Sequence, residues 1–120
     1  MDVEGLRTYC RARPGASADF PFGSGVEAVR VGGKIFALIS LDGSPASVNL
    51  KCDPFLAMEL RERYSSVSPG YHMNKAHWNT VSLDGGVPDT ELRAMVDHSY
   101  KLVLERLPRN RRPVTAPGAD

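Results

Sequence analysis

"VEAVRVGGKIFALISLDGSPASVNLKC", residues 26–52, decides the fold. Its first six residues alternate, which places Glu27, Val29 and Val31 on one face of a strand. Gly32-Gly33 follows, and two glycines reach the positive φ that a tight hairpin turn needs. Residues 34–41 are nearly all apolar after Lys34, which suits a central strand. Asp42-Gly43-Ser44-Pro45 turns the chain again. In residues 46–52, Val48, Leu50 and Cys52 face one way and Asn49 and Lys51 the other. The spacing predicts a three-stranded antiparallel meander.

Helices are expected on both sides of this meander. Upstream, Asp2 can cap a helix whose Val3, Leu6 and Cys10 share a face, and Pro14-Gly15 ends it. The stretch "GASADFPFGSG", residues 15–25, reads as a loop pinned to the core by Phe20 and Phe22. Downstream, Asp53-Pro54 is a capping acid followed by a proline at the first helical position. Leu56, Leu60 and Tyr64 then stack on one side of that helix, with Glu59, Arg61, Glu62 and Arg63 as the wet face. In "PGYHMNKAHWNTVSL", residues 69–83, Tyr71-His72-Met73 is expected as a strand, Asn74-Lys75-Ala76 as a turn, and residues 77–83 as the returning strand. The last helix starts at Pro88-Asp89, with Glu91 in the first turn where the helix dipole favours acids. Its inward stripe is Leu92, Val96, Ser99, Val103 and Leu107, widened by Met95 and Leu102. Asp97 and Lys101 are expected to pair across one turn, with His98 half-exposed beside them. Pro108 stops the helix. Residues 109–120 carry prolines and small residues without apolar periodicity and read as a basic, disordered tail.

The resulting order is α-β-β-β-α-β-β-α. It predicts one α+β domain over residues 1–108, with two layers: a five-stranded antiparallel sheet and helices on one of its faces.

The totals exclude several classes. A chain of 120 residues fits one domain with a proper core, and no apolar run approaches the ~20 residues of a membrane helix. The first residues contain acids and no apolar secretory core, so a cytoplasmic protein is expected. Cys10 and Cys52 form neither a CxxC pair nor a metal spacing, and are expected as small buried apolar residues. The formal net charge is +1, from 15 basic and 14 acidic residues, which is no strongly basic profile. The sign is uneven: Lys101, Arg106, Arg109, Arg111 and Arg112 face only Glu105 and Asp120 in the last twenty residues.

"DFPFG", "VGGKIFALIS", "VNLKCDP", "PGYHMNKAHWNTVSLDG" and "VPDTELRAMVDHSYKLV" stand in the order and spacing of one family. Over residues 3–107 the chain resembles the MmcQ/YjbR-like proteins. That resemblance implies a two-layer α+β fold of the YjbR-like or secretion-chaperone-like kind, also compared to the frataxin-like CyaY. It further implies a DNA-binding role through a double-wing motif, with no catalytic residue set to carry over.

Residues 69–83 hold two of the three histidines and the only tryptophan. His72, His77, Asn79 and Lys75 could supply a base and polar orienters for catalysis, with Cys52 or Ser82 as nucleophile. No spacing selects those residues, and no GxSxG, P-loop, HExxH or dinucleotide fingerprint is present. No catalytic residue is therefore assigned. His72 opposite His77 in a tight hairpin could share a metal ion, but two histidines are too few ligands, and no metal or other cofactor is expected. Against a nucleic acid, Trp78 could stack on a base while Lys75, His77 and Asn79 reach phosphates or base edges, with Lys101, Arg109, Arg111 and Arg112 adding backbone attraction. The bland reading makes Trp78 a core residue and Asn74 a turn former.

The expectation is a small cytoplasmic binding module, monomeric and cofactor-free, that binds DNA weakly and with little sequence preference. A protein-interaction or chaperone-like adaptor is the runner-up, and an enzyme comes third.

Overall fold

The computed structural model describes residues 1–113. Helix α1 (Val3–Arg11) precedes four strands, β1 (Ala16–Asp19), β2 (Val26–Val31), β3 (Lys34–Ser40) and β4 (Ser47–Lys51). Helix α2 (Pro54–Arg63) leads to β5 (Val67–Pro69) and β6 (Trp78–Ser82), and α3 (Asp89–Glu105) closes the order. All pairings are antiparallel, and the strands lie in the order β1-β2-β3-β4-β6-β5.

The meander forms where the local signals put it. Gly32 and Gly33 both take positive φ, 56° and 83°, and join β2 to β3 directly. Asp2 caps α1 by accepting from the Gly5 amide at 2.8 Å, and Asp53 caps α2 by accepting from the Phe55 and Leu56 amides. Glu27, Ile39, Val48 and Val81 stand side by side across the central strands, as do Val29, Ala37, Leu50 and Asn79. These two rows face the helices. Glu27 meets Arg7 and Arg11 of α1, and Asn79 meets Arg61 of α2. Ser99 of α3 donates to the Phe36 carbonyl at 2.6 Å and accepts from the Lys51 amide at 2.8 Å. All three helices among the described residues therefore cover one face of the sheet. The core between the layers is built on Leu6, Phe36, Ile39, Val48, Leu60 and Val96. Both cysteines are buried and unpaired, as expected for small apolar residues in a core. No helix among the described residues is long and apolar enough to cross a membrane.

The sheet has six strands rather than the expected five, and the extra strand is β1, inside the expected loop. Its burial is low on both faces, so no apolar alternation marks it in the sequence. It forms because β2 offers a free edge: Ala16 to Asp19 pair with Val31 to Ala28, and Arg30 reaches Asp19 at 3.0 Å. Phe20 and Phe22 do not pin that segment, since they are 43% and 65% exposed. The second hairpin is also displaced. Tyr71-His72-Met73 is not a strand; its place is taken by β5 at Val67–Pro69. His72 has φ 58°, a conformation that breaks a strand. Asp97 pairs not with Lys101 but with Arg13, just past the end of α1, at 3.0 Å, and it also accepts from the Tyr9 hydroxyl of α1 at 2.8 Å. Arg61 is not on a wet face but anchors α2 to β6.

Order continues past the expected boundary at residue 108. Arg109–Arg111 form a 3-10 turn, and Arg112 donates to the carbonyls of Leu107 and Glu105, both at 3.1 Å. That arrangement satisfies carbonyls left free at the end of α3. The rest of the expected tail, 114–120, lies outside the described residues. The turn is seated on Gly32, where a Cβ would lie 2.5 Å from Leu107 Cδ1 and 2.9 Å from the Arg111 carbonyl. A Cβ on Gly33 would meet nothing within 4 Å. Gly32→Ala should therefore cost about 1–3 kcal/mol from left-handed strain plus the clash. Gly33→Ala should bear the strain alone. Urea unfolding that ranks the two variants equal would mean that the segment after α3 does not rest on the β2–β3 turn.

Candidate nucleic-acid interface

Five buried polar residues look at first like site candidates: Glu27, Asn49, Ser66, Asn79 and Ser99. Among the described residues no buried side-chain nitrogen or oxygen lacks a hydrogen-bond partner. Their polarity is consumed inside the fold. Asn79 is 3% exposed; its Oδ1 accepts from Arg61 Nε at 2.7 Å and its Nδ2 donates to the Ala57 carbonyl at 3.3 Å. It locks α2 onto β6. Asn49 Nδ2 donates to the Tyr71 carbonyl at 3.3 Å, which ties the loop before β6 onto the open face of the sheet.

The loop residues of the "HMNKAHW" stretch are held the same way. Asn74 Oδ1 accepts from the Ala76 amide at 3.0 Å, the side-chain turn its residue type favours. Lys75 Nζ donates to the Gly70 carbonyl at 3.1 Å, closing the loop on itself. His77 is half-buried, and its carbonyl accepts from the Cys52 amide at 2.8 Å.

Trp78 is different. It opens β6, pairs with Lys51 at the end of β4, and is half-buried. Gly70 makes this possible: a Cβ there would lie 2.7 Å from Trp78 Cβ. The tryptophan forms one wall of a groove of about 520 Å³, with Ile35, Val103 and Leu107 as its other apolar lining. Around these stand Arg30, Lys34, Lys51, Arg106 and Arg111, and among the described residues no carboxylate lines the groove. Arg30 is spent on Asp19, but Lys34, Lys51, Arg106 and Arg111 form no ion pair among the described residues.

Each cation arrives for a local reason. Lys34 follows the glycine turn. Lys51 lies on the polar side of the β4 alternation. Arg106 caps α3 at its C-terminal end, where cations are favoured. Pro108 then bends the chain, and the 3-10 turn brings Arg111 back, its amide donating to the Pro108 carbonyl at 2.9 Å. Burial and then the Arg106 charge hold the Lys51 ammonium below the usual lysine value. Two like charges kept close without a counter-ion are a cost that a bound anion relieves.

Of the eight residues expected at an interface, the groove brings together Trp78 and Arg111. Lys101 and Arg109 are exposed elsewhere, and Arg112 is folded back on α3. Lys34 and Lys51 escape a reading of the sequence, since they come from segments distant from each other and from the basic C-terminal stretch, where Arg106 counts toward the charge but not toward the expected interface. The one signal that could have marked Lys51 is its place opposite Leu50 and Cys52 in "VNLKC".

A second concavity, about 120 Å³, lies between α2 and α3, lined by Leu50, Cys52, Leu56, Leu60, Val81 and Met95. Burial pushes the Cys52 thiol up to about 11, which leaves it protonated and a poor nucleophile. His98 Nε2 accepts from the Asp53 amide at 3.1 Å and so serves the α2 start.

Residues 11–102 match the family model described as YjbR. The chain is 38% identical over 112 residues to YjbR of Escherichia coli strain K12, covering 93% of this chain and 95% of that protein. Among solved structures, the crystal structure of protein DR2400 of Deinococcus radiodurans superposes with a TM-score of 0.87 at 33% identity, over 99% of this chain and 94% of that one. A Pseudomonas syringae crystal structure superposes with a TM-score of 0.76 at 26% identity, over 86% and 99% of the two chains.

Proposed function

The chain belongs to the YjbR family, and on that footing we propose that it is a small cytoplasmic DNA-binding module whose phosphate contact is the groove beside Trp78. The observation that carries this reading is four cations, without acidic partners among the described residues, around one tryptophan. A groove that combines positive charge with an aromatic face is the general recipe for nucleic-acid contact. The family resemblance in "HMNKAHWNTV" points to the same strand. No α-helix among the described residues presents a row of Arg, Asn or Gln to read a major groove, so sequence discrimination should be slight.

A salt titration tests this. Each phosphate neutralised releases condensed counter-ions, so log affinity for duplex DNA should fall against log salt with a slope of about −3 to −4 for four cations. Substituting Lys51, Arg106 and Arg111 together by alanine should weaken binding uniformly across sequences and reduce that slope by up to about three units. Substituting Lys101, Arg109 and Arg112 should do less. Parent protein that binds neither duplex nor single-stranded DNA at low salt and micromolar concentration removes the DNA reading.

A protein-interaction adaptor is the second reading. Phe55 and Met58 on α2 are 84% and 58% exposed, on the same helix whose Leu56 and Leu60 line the α2–α3 concavity. Exposed apolar side chains of this size beside a pocket are a usual mark of a partner surface. A partner bound there should be lost in Phe55→Ser and kept in the groove variant.

A further inference from the structure

A duplex stacks both faces of every internal base, so it cannot offer one to a tryptophan. The groove, however, sets its tryptophan among the cations rather than away from them. Its volume of about 520 Å³ lies within the range of cavities that hold one small organic ligand. A bare phosphate would leave Ile35, Val103, Leu107 and the indole with nothing to cover them. From these features, and resting on the DNA reading above, we infer that the groove seats one unpaired nucleotide of a single strand. Its base lies against Trp78 and its phosphate between Lys51, Arg106 and Arg111. The ligand class is therefore single-stranded DNA, or the unpaired end of a duplex, rather than the intact double helix.

The chemistry of the two parts is complementary. The phosphate takes up the repulsion between Lys51 and Arg106, which no carboxylate among the described groove residues relieves. Base stacking on an aromatic ring tolerates every base, because each has a π-face. Selectivity then comes from strandedness and not from sequence.

Trp78 is the chain's only tryptophan, so its fluorescence reports this site alone. The full chain is titrated at low salt with a deoxythymidine oligomer, a blunt duplex of equal length, the free deoxythymidine monophosphate and inorganic phosphate. The oligomer is expected to quench the emission and to bind at least tenfold tighter than the duplex, the mononucleotide far more weakly, and phosphate without quenching. The variants lack the reporter indole and are read by electrophoretic mobility shift: Trp78→Ala should weaken the oligomer by roughly 5- to 150-fold, the value of one lost stack, and Trp78→Phe should restore most of it. Should Trp78→Ala fail to fold, the quenching of the parent and the Trp78→Phe affinity still decide. A duplex that binds as tightly as the oligomer, with no change in emission, overturns the single-strand inference and leaves the DNA reading standing. A mononucleotide that binds as tightly as the oligomer overturns it in favour of a free-nucleotide site. No binding of oligomer or duplex removes both readings.

Discussion

Glu27→Ala should cost about 3 kcal/mol of folding stability, the lower end for breaking a buried ion pair. Glu27 is fully buried in β2, in the row with Ile39, Val48 and Val81. Arg7 Nε bonds to its Oε1 at 3.0 Å, and Arg11 donates to Oε2. Removing the carboxylate leaves Arg7, 19% exposed, without its inner partner. Glu4 still holds the other side of that guanidinium at 2.9 Å, which keeps the cost from the top of the range. Burial pushes the Glu27 carboxyl pKa up, but the hydrogen bonds from Arg7 and Arg11 outweigh it and the net direction is down. A lowered folded pKa means that this stabilisation is present above the ordinary value of 4.5 and is lost as pH falls through the folded value. The parent should thus weaken on acidification more steeply than Glu27→Gln, which has no such proton to take up. Urea melts at neutral and acid pH measure both effects. A neutral-pH loss under ~1 kcal/mol for the alanine variant would show that the pair contributes nothing net.

Phe36→Ala should cost more, about 3–5 kcal/mol, as expected for a buried phenyl ring whose space cannot collapse. The sheet register shifts here: Val29 pairs with Ala37 and Arg30 with Ile35, which leaves Phe36 as the extra residue of a β-bulge. Phe36 and Ala37 are both fully buried as a result. The Phe36 ring meets Tyr100 edge-on, with centroids 5.3 Å apart and planes at 87°. Its carbonyl is the one that Ser99 holds. The bulge therefore fixes α3 to the middle of the sheet, and with it the position of Arg106 over the groove. Phe36→Leu should recover much of the loss, because it refills most of the volume. Thermal unfolding that places the alanine variant within ~1 kcal/mol of the parent would mean that the ring is not a core anchor.

The resemblance to the YjbR family and the element types were legible in the sequence because they rest on neighbours in the chain. Asp2 and Asp53 cap the helices that follow them, Gly32-Gly33 alone can take the turn, and the β4 alternation sorts Leu50 from Lys51. Periodicity and capping act over a few residues, so the residues themselves carry the signal. Other features depend on what lies across the sheet. β1 is a strand only because β2 has an unpaired edge, and its own side chains alternate nothing. Residues 71–73 offer a plausible strand, but β6 pairs instead with Val67, Ser68 and Pro69, and the chain after Gly70 is free to turn. The alternation puts Glu27 on the face of Val29 and Val31 but shows no partner for its charge; α1 supplies one by placing two arginines over it. The groove is the extreme case: Lys34, Lys51 and the Arg106–Arg111 segment are far apart in the chain, and neither lysine by itself reads as more than a solvated charge. Only the packing of the α3 end against the β2–β3 turn and the end of β4 brings them around Trp78, since charge convergence between distant segments leaves no period or spacing for a sequence to display.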